Sequence, residues 1–159
     1  MLRRPWILLV AGGLALVAVP LTSSSPLLKR PGTIRITDVE VKRRSVDIGA
    51  AGRTPGDVLV ITHLLFNKRI TPKPLGHSEA LCTFLGRGDV LGAGSSSCSV
   101  TFFLPKGRIM ASGVIHSRLF YELAVTGGTG LYNNVRGTLT VTSLGRNPPQ
   151  ELLLFRLVV

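Results

Sequence analysis

The chain has 159 residues, enough for one domain of ordinary size, and 45% of them are hydrophobic against 17% charged, a balance that argues against a disordered chain. Lysine and arginine total 19 against 8 acidic residues, a formal net charge of +11. This charge raises nucleic acid or an anionic surface as partners, but the basic residues are scattered and accompany no nucleic-acid-binding motif. We therefore expect no nucleic-acid partner, and attraction to an anionic cell envelope stays open.

The N-terminus has the charge pattern of an export segment. Arg3 and Arg4 precede an uncharged, mostly apolar stretch over residues 7–21, and small polar residues follow at 22–25. A permanent membrane anchor is the alternative, because uncharged sequence runs from residue 5 to residue 28. We assign residues 1–24 to a signal peptide or membrane anchor and 25–32 to a linker. The remaining domain, residues 33–159, is then secreted or extracytoplasmic, free or tethered.

Turns divide the exported part into short runs of apolar alternation. In the first run the apolar phase shifts from Ile34 and Ile36 to Val39 and Val41, which indicates a β-bulge. The runs lie at residues 33–42, 57–66, 79–85, 99–104, 108–116, 119–125, 135–142 and 151–159. Seven to nine strands without intervening helices predict an antiparallel sandwich or a closed barrel.

Two cysteines, Cys82 and Cys98, enclose a loop rich in glycine and serine. In an oxidising compartment such a pair predicts one disulfide, which closes the loop. Free thiols and a metal site with His77 are the alternatives. The spacing matches no paired-cysteine zinc motif and lacks a fourth ligand, so we expect no metal.

A glycine cluster, Gly127, Gly128 and Gly130, joins the strands on either side of it. Asn133 stands where a dinucleotide-binding loop has its third glycine, and a strand follows where that motif needs a helix. No Gly-Lys-Ser/Thr follows either, so the phosphate-loop interpretation fails as well. The glycines are therefore predicted to be structural, and no nucleotide cofactor is expected.

The same region resembles a known family. Residues 124–130, then Tyr132, then Arg136 and Gly137, are similar to the signature of allene oxide cyclase barrels and plant dirigent proteins. Residues 103–109 with Gly113, the pair Gly56 and Asp57, and the two cysteines resemble bacterial members. The resemblance covers roughly residues 56–141. It implies an all-β fold, an eight-stranded antiparallel barrel with an apolar interior.

The resemblance also implies a class of function. Family members cyclise unsaturated lipid epoxides, steer the coupling of phenoxy radicals, or fold polyketides by cycloaddition. They share a shaped apolar cavity that orients a reactive substrate, without a cofactor. We expect a hydrophobic small molecule as ligand, and its cyclisation or stereocontrolled coupling as the activity. Whether there is turnover stays open, and the alternative is a non-catalytic carrier or an envelope-binding barrel; a homo-oligomer is compatible with either.

Candidate ligand-binding residues are His63, Phe66, Phe103 and Tyr121. His63 stands where the resembling plant cyclases carry an asparagine, and Glu40 is the candidate for the family's acidic residue. A partnered structural histidine, a core tyrosine and ordinary core phenylalanines are the competing interpretations. No catalytic residue is assigned at this stage.

Overall fold

The computed structural model describes residues 32–67, 73–87, 94–116 and 119–158. The expected signal or anchor at 1–24 and residues 25–31 of the expected linker lie outside this part of the chain. Eight strands and one short 3-10 helix follow in order: β1 (Gly32–Val46), β2 (Val58–Phe66), β3 (Gly76–Arg87), β4 (Gly94–Leu104), β5 (Gly107–Ile115), β6 (Phe120–Gly128), η1 (Gly130–Tyr132), β7 (Arg136–Arg146) and β8 (Pro149–Val158). Within these ranges no helix is both long and apolar enough to cross a membrane.

The strands form a closed antiparallel barrel. Each strand pairs with the next in sequence, and β8 pairs with β1 to complete the ring. Closure gives each of the eight described strands two neighbours, which protects the sheet from pairing with another chain. The eight-stranded barrel expected from the resemblance is confirmed, and the sandwich alternative is wrong.

The two ends of the barrel differ. At one end, which we call the sealed end, strands β2 and β4 finish at Phe66 and Leu104, and both side chains are buried. Ile109, Val135 and Leu157 are also buried there. This apolar packing fills the sealed end of the barrel and stabilises the fold by roughly 25 cal/mol per Å² of buried apolar surface. The opposite end, where β1 finishes and β2 begins, is the open end.

A β-bulge in β1 brings charged residues to the interior. The register against β2 shifts between Glu40 and Lys42, which leaves Val41 as the extra residue. The sequence predicted a bulge here from the shift of the apolar phase to Val39 and Val41. The structure gives the cause of that shift, since Asp38 and Glu40 occupy the interior positions of β1. After the bulge the alternation is rephased, so Arg43 faces the interior while Val41 is exposed.

The glycine cluster lies at the sealed end and permits close backbone packing. A Cβ atom on Gly128 would overlap the carbonyl oxygens of Tyr132 and Arg108. Gly130 and Gly137 have φ angles of 63° and 145°, in the region that L side chains rarely adopt. Gly127 lies beside Arg136, whose guanidinium donates a hydrogen bond to the Val135 carbonyl at 2.9 Å. These residues shape the barrel wall at the end opposite the open one.

The disulfide predicted from the sequence is present, between Cys82 and Cys98. The two residues lie directly opposite each other on β3 and β4, so the bond joins two neighbouring strands of the barrel wall as well as closing a loop. Both side chains are buried on the inner face.

We expect the mass of the unreduced protein to be two hydrogens below that of the reduced chain. Reduction should also lower stability, since a loop of this length contributes about 3 kcal/mol when closed. Intact mass spectrometry with and without reductant measures the first effect, and thermal melting measures the second. Two thiols open to alkylation in protein taken from the extracytoplasmic side would contradict the expectation.

Candidate functional site

The interior contains a cavity that connects to the open end. Its deepest part, the inner cavity, has a volume of about 80 Å³. An antechamber of about 120 Å³ and a mouth of about 470 Å³ follow toward the open end. Arg43 and Cys82 line all three spaces, so the three spaces adjoin one another between the open end and the interior. The apolar wall of the inner cavity consists of Ile61, Ala80, Val100, Phe102, Ile115, Leu123, Leu139, Val141 and Leu153.

Acidic side chains from β1 and β8 meet inside this apolar wall. Asp38 is only 2% exposed, and its Oδ1 accepts a hydrogen bond from the backbone N–H of Glu151 at 3.1 Å. Glu40 lies one inward-facing position further along β1 and forms an ion pair with Arg43, whose Nε lies 2.8 Å from Oε1. Asp38, Glu40 and Glu151 therefore share one cavity with a single arginine.

The electrostatics of Asp38 and Glu151 follow from burial. Loss of water raises the pKa of Asp38 from 3.8 to about 8, and the nearby charge of Glu151 adds to the effect. Burial also raises the pKa of Glu151, while its hydrogen bond from Tyr121 acts in the opposite direction. At neutral pH Asp38 is therefore a neutral carboxylic acid and can donate a proton.

His63, on β2, faces the inner cavity with 9% of its surface exposed. Its Nδ1 lies 3.4 Å from the hydroxyl oxygen of Ser78 on β3, which is fully buried. Desolvation lowers the pKa of His63 from 6.5 to about 4, so the ring is neutral at physiological pH. A neutral imidazole here can donate or accept a hydrogen bond without adding charge.

Tyr121, on β6, completes the polar cluster. Its hydroxyl donates a hydrogen bond to Oε2 of Glu151 at 3.1 Å. Burial and the charge of Glu151 raise the pKa of Tyr121 far above its ordinary value, so the hydroxyl stays protonated. Together Asp38, His63, Tyr121 and Glu151 form what we call the polar cluster. It contains groups that donate protons and groups that accept them, a few ångströms apart.

The cluster also has the donor atoms of a cation site. Asp38, His63 and Glu151 each offer one possible ligand atom, and these atoms lie within 4.8 Å of one another. Two oxygens and one nitrogen would suit a divalent ion such as Mn²⁺ or Zn²⁺. The residues for this set come from three strands, β1, β2 and β8, which no local sequence motif could reveal.

The structure brings two of the four candidate ligand-binding residues together, His63 and Tyr121. Phe103 lies on the outer face of β4, where its ring stacks on His77 with centroids 4.5 Å apart. Its neighbour Phe102 points inward and lines the inner cavity instead. Phe66 is buried at the sealed end and is not part of the inner cavity's wall. Phe103 and Phe66 therefore lie away from the polar cluster.

A loop over residues 47–56 borders the mouth. Asp57 fixes this loop, since its carboxylate accepts hydrogen bonds from the backbone of Ile48 at 2.9 Å and of Thr54 at 2.7 Å. Arg53 lies over the ring of Phe84, 4.3 Å from its centroid, and both residues line the mouth. The Gly56-Asp57 pair singled out in the sequence thus shapes the entrance to the cavity.

No protein-family model and no curated protein matches this sequence. Among solved structures, a pyocyanin demethylase is 25% identical with a TM-score of 0.65, over 79% of this chain and 99% of that one. A Diels-Alderase from Streptomyces koyangensis is 12% identical with a TM-score of 0.63, over 79% of this chain and 63% of that one. A pterocarpan synthase dirigent protein is 13% identical with a TM-score of 0.62, over 80% and 83%.

These similarities agree with the barrel and its topology. The chain has the closed eight-stranded barrel of the allene oxide cyclase and dirigent type, as the glycine-rich signature indicated. Dirigent proteins, Diels-Alderases and a cyclase share this fold with it.

Proposed function

We propose that the barrel binds a hydrophobic small molecule and guides its cyclisation or stereocontrolled coupling by proton transfer at the polar cluster. The observation that carries the proposal is the polar cluster itself, enclosed by apolar walls at the inner end of a route from the open end. Apolar walls supply affinity, and a few polar groups fix the orientation of the ligand. The same groups supply acid and base chemistry without a cofactor.

The roles of the side chains follow from their protonation states. Asp38, with a pKa of about 8, is the proton donor at neutral pH. Glu151 accepts a hydrogen bond from Tyr121 and is the residue placed to take up a proton. His63 is neutral and positions a polar atom of the ligand. The remaining lowering of the barrier comes from holding the substrate in one reactive conformation, because the entropy cost of reaching that conformation is then met on binding.

Ala80→Leu tests the cavity, because Ala80 lines it and is 6% exposed. We expect the added methyl groups to occupy the space of the ligand and weaken binding of a neutral ring probe, 1-methylnaphthalene, at least tenfold. Ala124→Leu is the matched control, since Ala124 is exposed on the outer face of β6. Titration of the probe's fluorescence measures both. Equal binding by the two variants would contradict a ligand site in this cavity.

Turnover is tested with substrates that carry an epoxide and an alkene on one chain, because ring closure then needs a proton on the epoxide oxygen and loss of a proton from the resulting carbocation. The expected result is cyclised product of one handedness, formed faster than in protein-free buffer and resolved by chiral chromatography. Loss of that product in Asp38→Asn would support the assigned proton donor. Tight binding without any product would contradict the catalytic half of the proposal and favour the carrier alternative.

His63→Leu should change ligand selectivity more than stability. The bond between His63 and Ser78 is long, at 3.4 Å, so its loss strands one hydroxyl at a cost of about 1 kcal/mol. The double variant His63→Leu/Ser78→Ala removes that stranded hydroxyl and should recover most of the stability but none of the selectivity. Melting temperature and probe affinity are measured on both variants. Large destabilisation with unaltered ligand preference would show that His63 has a structural role in the core and would contradict its role in ligand binding.

A second candidate function is demethylation of a small molecule. The similarity to pyocyanin demethylase favours it, since that match extends over 99% of the other chain. Incubation with pyocyanin, followed by mass spectrometry for loss of the methyl group, tests it directly. Unchanged pyocyanin after prolonged incubation would leave cyclisation or coupling as the proposal.

The proposed place of action is outside the cytoplasm. The disulfide is compatible with an oxidising compartment, and the net charge of +11 would hold the protein near an anionic envelope. Cell fractionation locates the protein, and salt washes test the surface attraction. Recovery in the cytoplasmic fraction with reduced cysteines would contradict export.

A further inference from the structure

We infer that the inner cavity selects a small apolar cation, such as an N-alkylated aromatic ring or a protonated amine. The inference rests on the proposed function, because it names the chemical class of the ligand for the same cavity. Its basis is the balance of charges among the side chains that line the cavity.

That balance is negative, although the protein as a whole is strongly positive. Three of the chain's eight acidic residues, Asp38, Glu40 and Glu151, line the inner cavity. Arg43 is the one lysine or arginine among the lining residues, and both of its hydrogen bonds to a carboxylate go to Glu40. The Arg43–Glu40 pair is therefore neutral in sum. Within the described part of the chain, Asp38 and Glu151 form no ion pair of their own, although Arg43 lies near enough to attract Glu151.

A positive group beside Asp38 and Glu151 would compensate the charge of both carboxylates. A cationic ligand can supply that group, because the two residues lie directly opposite each other on the neighbouring strands β1 and β8 and both line the inner cavity. Removing two like charges from water is costly unless a positive group compensates them.

The walls around the pair suit an organic cation. Phe102, Val100 and Leu123 provide apolar surface, and the Tyr121 ring adds an aromatic face beside Glu151. A cation near an aromatic face gains further attraction. An apolar cavity of about 150 Å³ holds a benzene ring, so the inner cavity and antechamber together suit one or two fused rings. The charged end of such a ligand must lie in the inner cavity, because Arg53 also lines the antechamber.

The experiment compares three probes of one size: 1-methylquinolinium, neutral 1-methylnaphthalene and anionic 1-naphthoate. Isothermal titration gives the affinity for each probe. We expect the cation to bind at least tenfold more tightly than the anion. Glu151→Gln should weaken the cation at least tenfold and the neutral probe less than twofold. Glu122→Gln makes the same chemical change on the exposed side of β6 and should alter neither.

Each outcome separates this inference from the proposed function. Binding of 1-methylnaphthalene with equal or tighter binding of 1-naphthoate would overturn the cation preference and leave the hydrophobic cavity intact. Absence of binding by all three probes would remove the proposed function itself. If Glu151→Gln fails to fold, Asp38→Asn takes its place with the same expectations. Stoichiometric Mn²⁺ or Zn²⁺ binding without 1-methylquinolinium binding would assign the cluster to a metal ion and overturn the inference.

Discussion

Replacing Asp38 by Asn should raise the melting temperature at pH 8 and leave it nearly unchanged at pH 4. The pKa of Asp38 rises from 3.8 to about 8 on folding, because burial removes water from the carboxyl. Folding is therefore favoured by protonated Asp38 at low pH, and this contribution is lost as the pH rises through 8. Asn resembles the protonated acid and does not ionise, so the variant should gain a few kcal/mol, roughly, at pH 8.

The same substitution should abolish turnover, because Asn cannot donate the proton assigned to Asp38. In the parent protein, turnover should fall as the pH rises above about 8, where Asp38 loses that proton. Thermal melting from pH 4 to pH 8 and a pH–rate profile measure the two effects. Glu122→Gln, on the outer face, serves as the control and should change neither. A variant less stable than the parent at pH 8 would mean that the Asp38 carboxylate is compensated in the folded protein.

Gly128→Ala is expected to destabilise the barrel by about 3 kcal/mol, or roughly 10 °C in melting temperature. A Cβ atom at this position would overlap two backbone oxygens, those of Tyr132 and Arg108, which cannot move aside as a flexible side chain could. Gly145→Ala is the matched control. Its nearest atom is 4.0 Å from the added Cβ, so little change is expected.

Adding nucleotides to the parent protein tests whether the glycine cluster binds phosphate. The glycine cluster lies between strands at the sealed end, and the 3-10 helix η1 that begins at Gly130 has only three residues, too few to orient a phosphate at its N-terminus. ATP or NAD should therefore leave the melting temperature of the parent protein unchanged. A saturable increase would contradict the structural interpretation of the glycines, and so would equal stability of Gly128→Ala and Gly145→Ala.

Turn residues and alternation were enough to predict most of the strands, because both are local properties of the chain. Five strands run at least three residues beyond their predicted bounds at one end: β1 to Val46, β3 from Gly76, β4 from Gly94, β6 to Gly128 and β7 to Arg146. Local sequence patterns do not distinguish a sandwich from a barrel, since the difference depends on the pairing of β1 with β8. The resemblance supplied that information, and the register confirmed it.

The polar cluster was harder to predict than the fold. Inward-facing polar residues on β1 look, in sequence, like the solvent-exposed half of an ordinary strand. Asp38 therefore has no local sequence signal apart from the phase shift at Val39. Glu151 lies near the start of the last strand, and only barrel closure brings it to Asp38. Alternation alone does not say which face of β4 is inner, so the sequence does not separate Phe103 from Phe102.

The contrast between the sealed and open ends has a kinetic consequence. Under the proposed function, a product formed beside Asp38 would have apolar packing behind it, so it would leave by the open end, at which substrate also enters. Entry and release would then compete near Arg43, which lines every space found at this end. Product should act as a competitive inhibitor against substrate, and turnover should become slower as the product becomes larger or more tightly held.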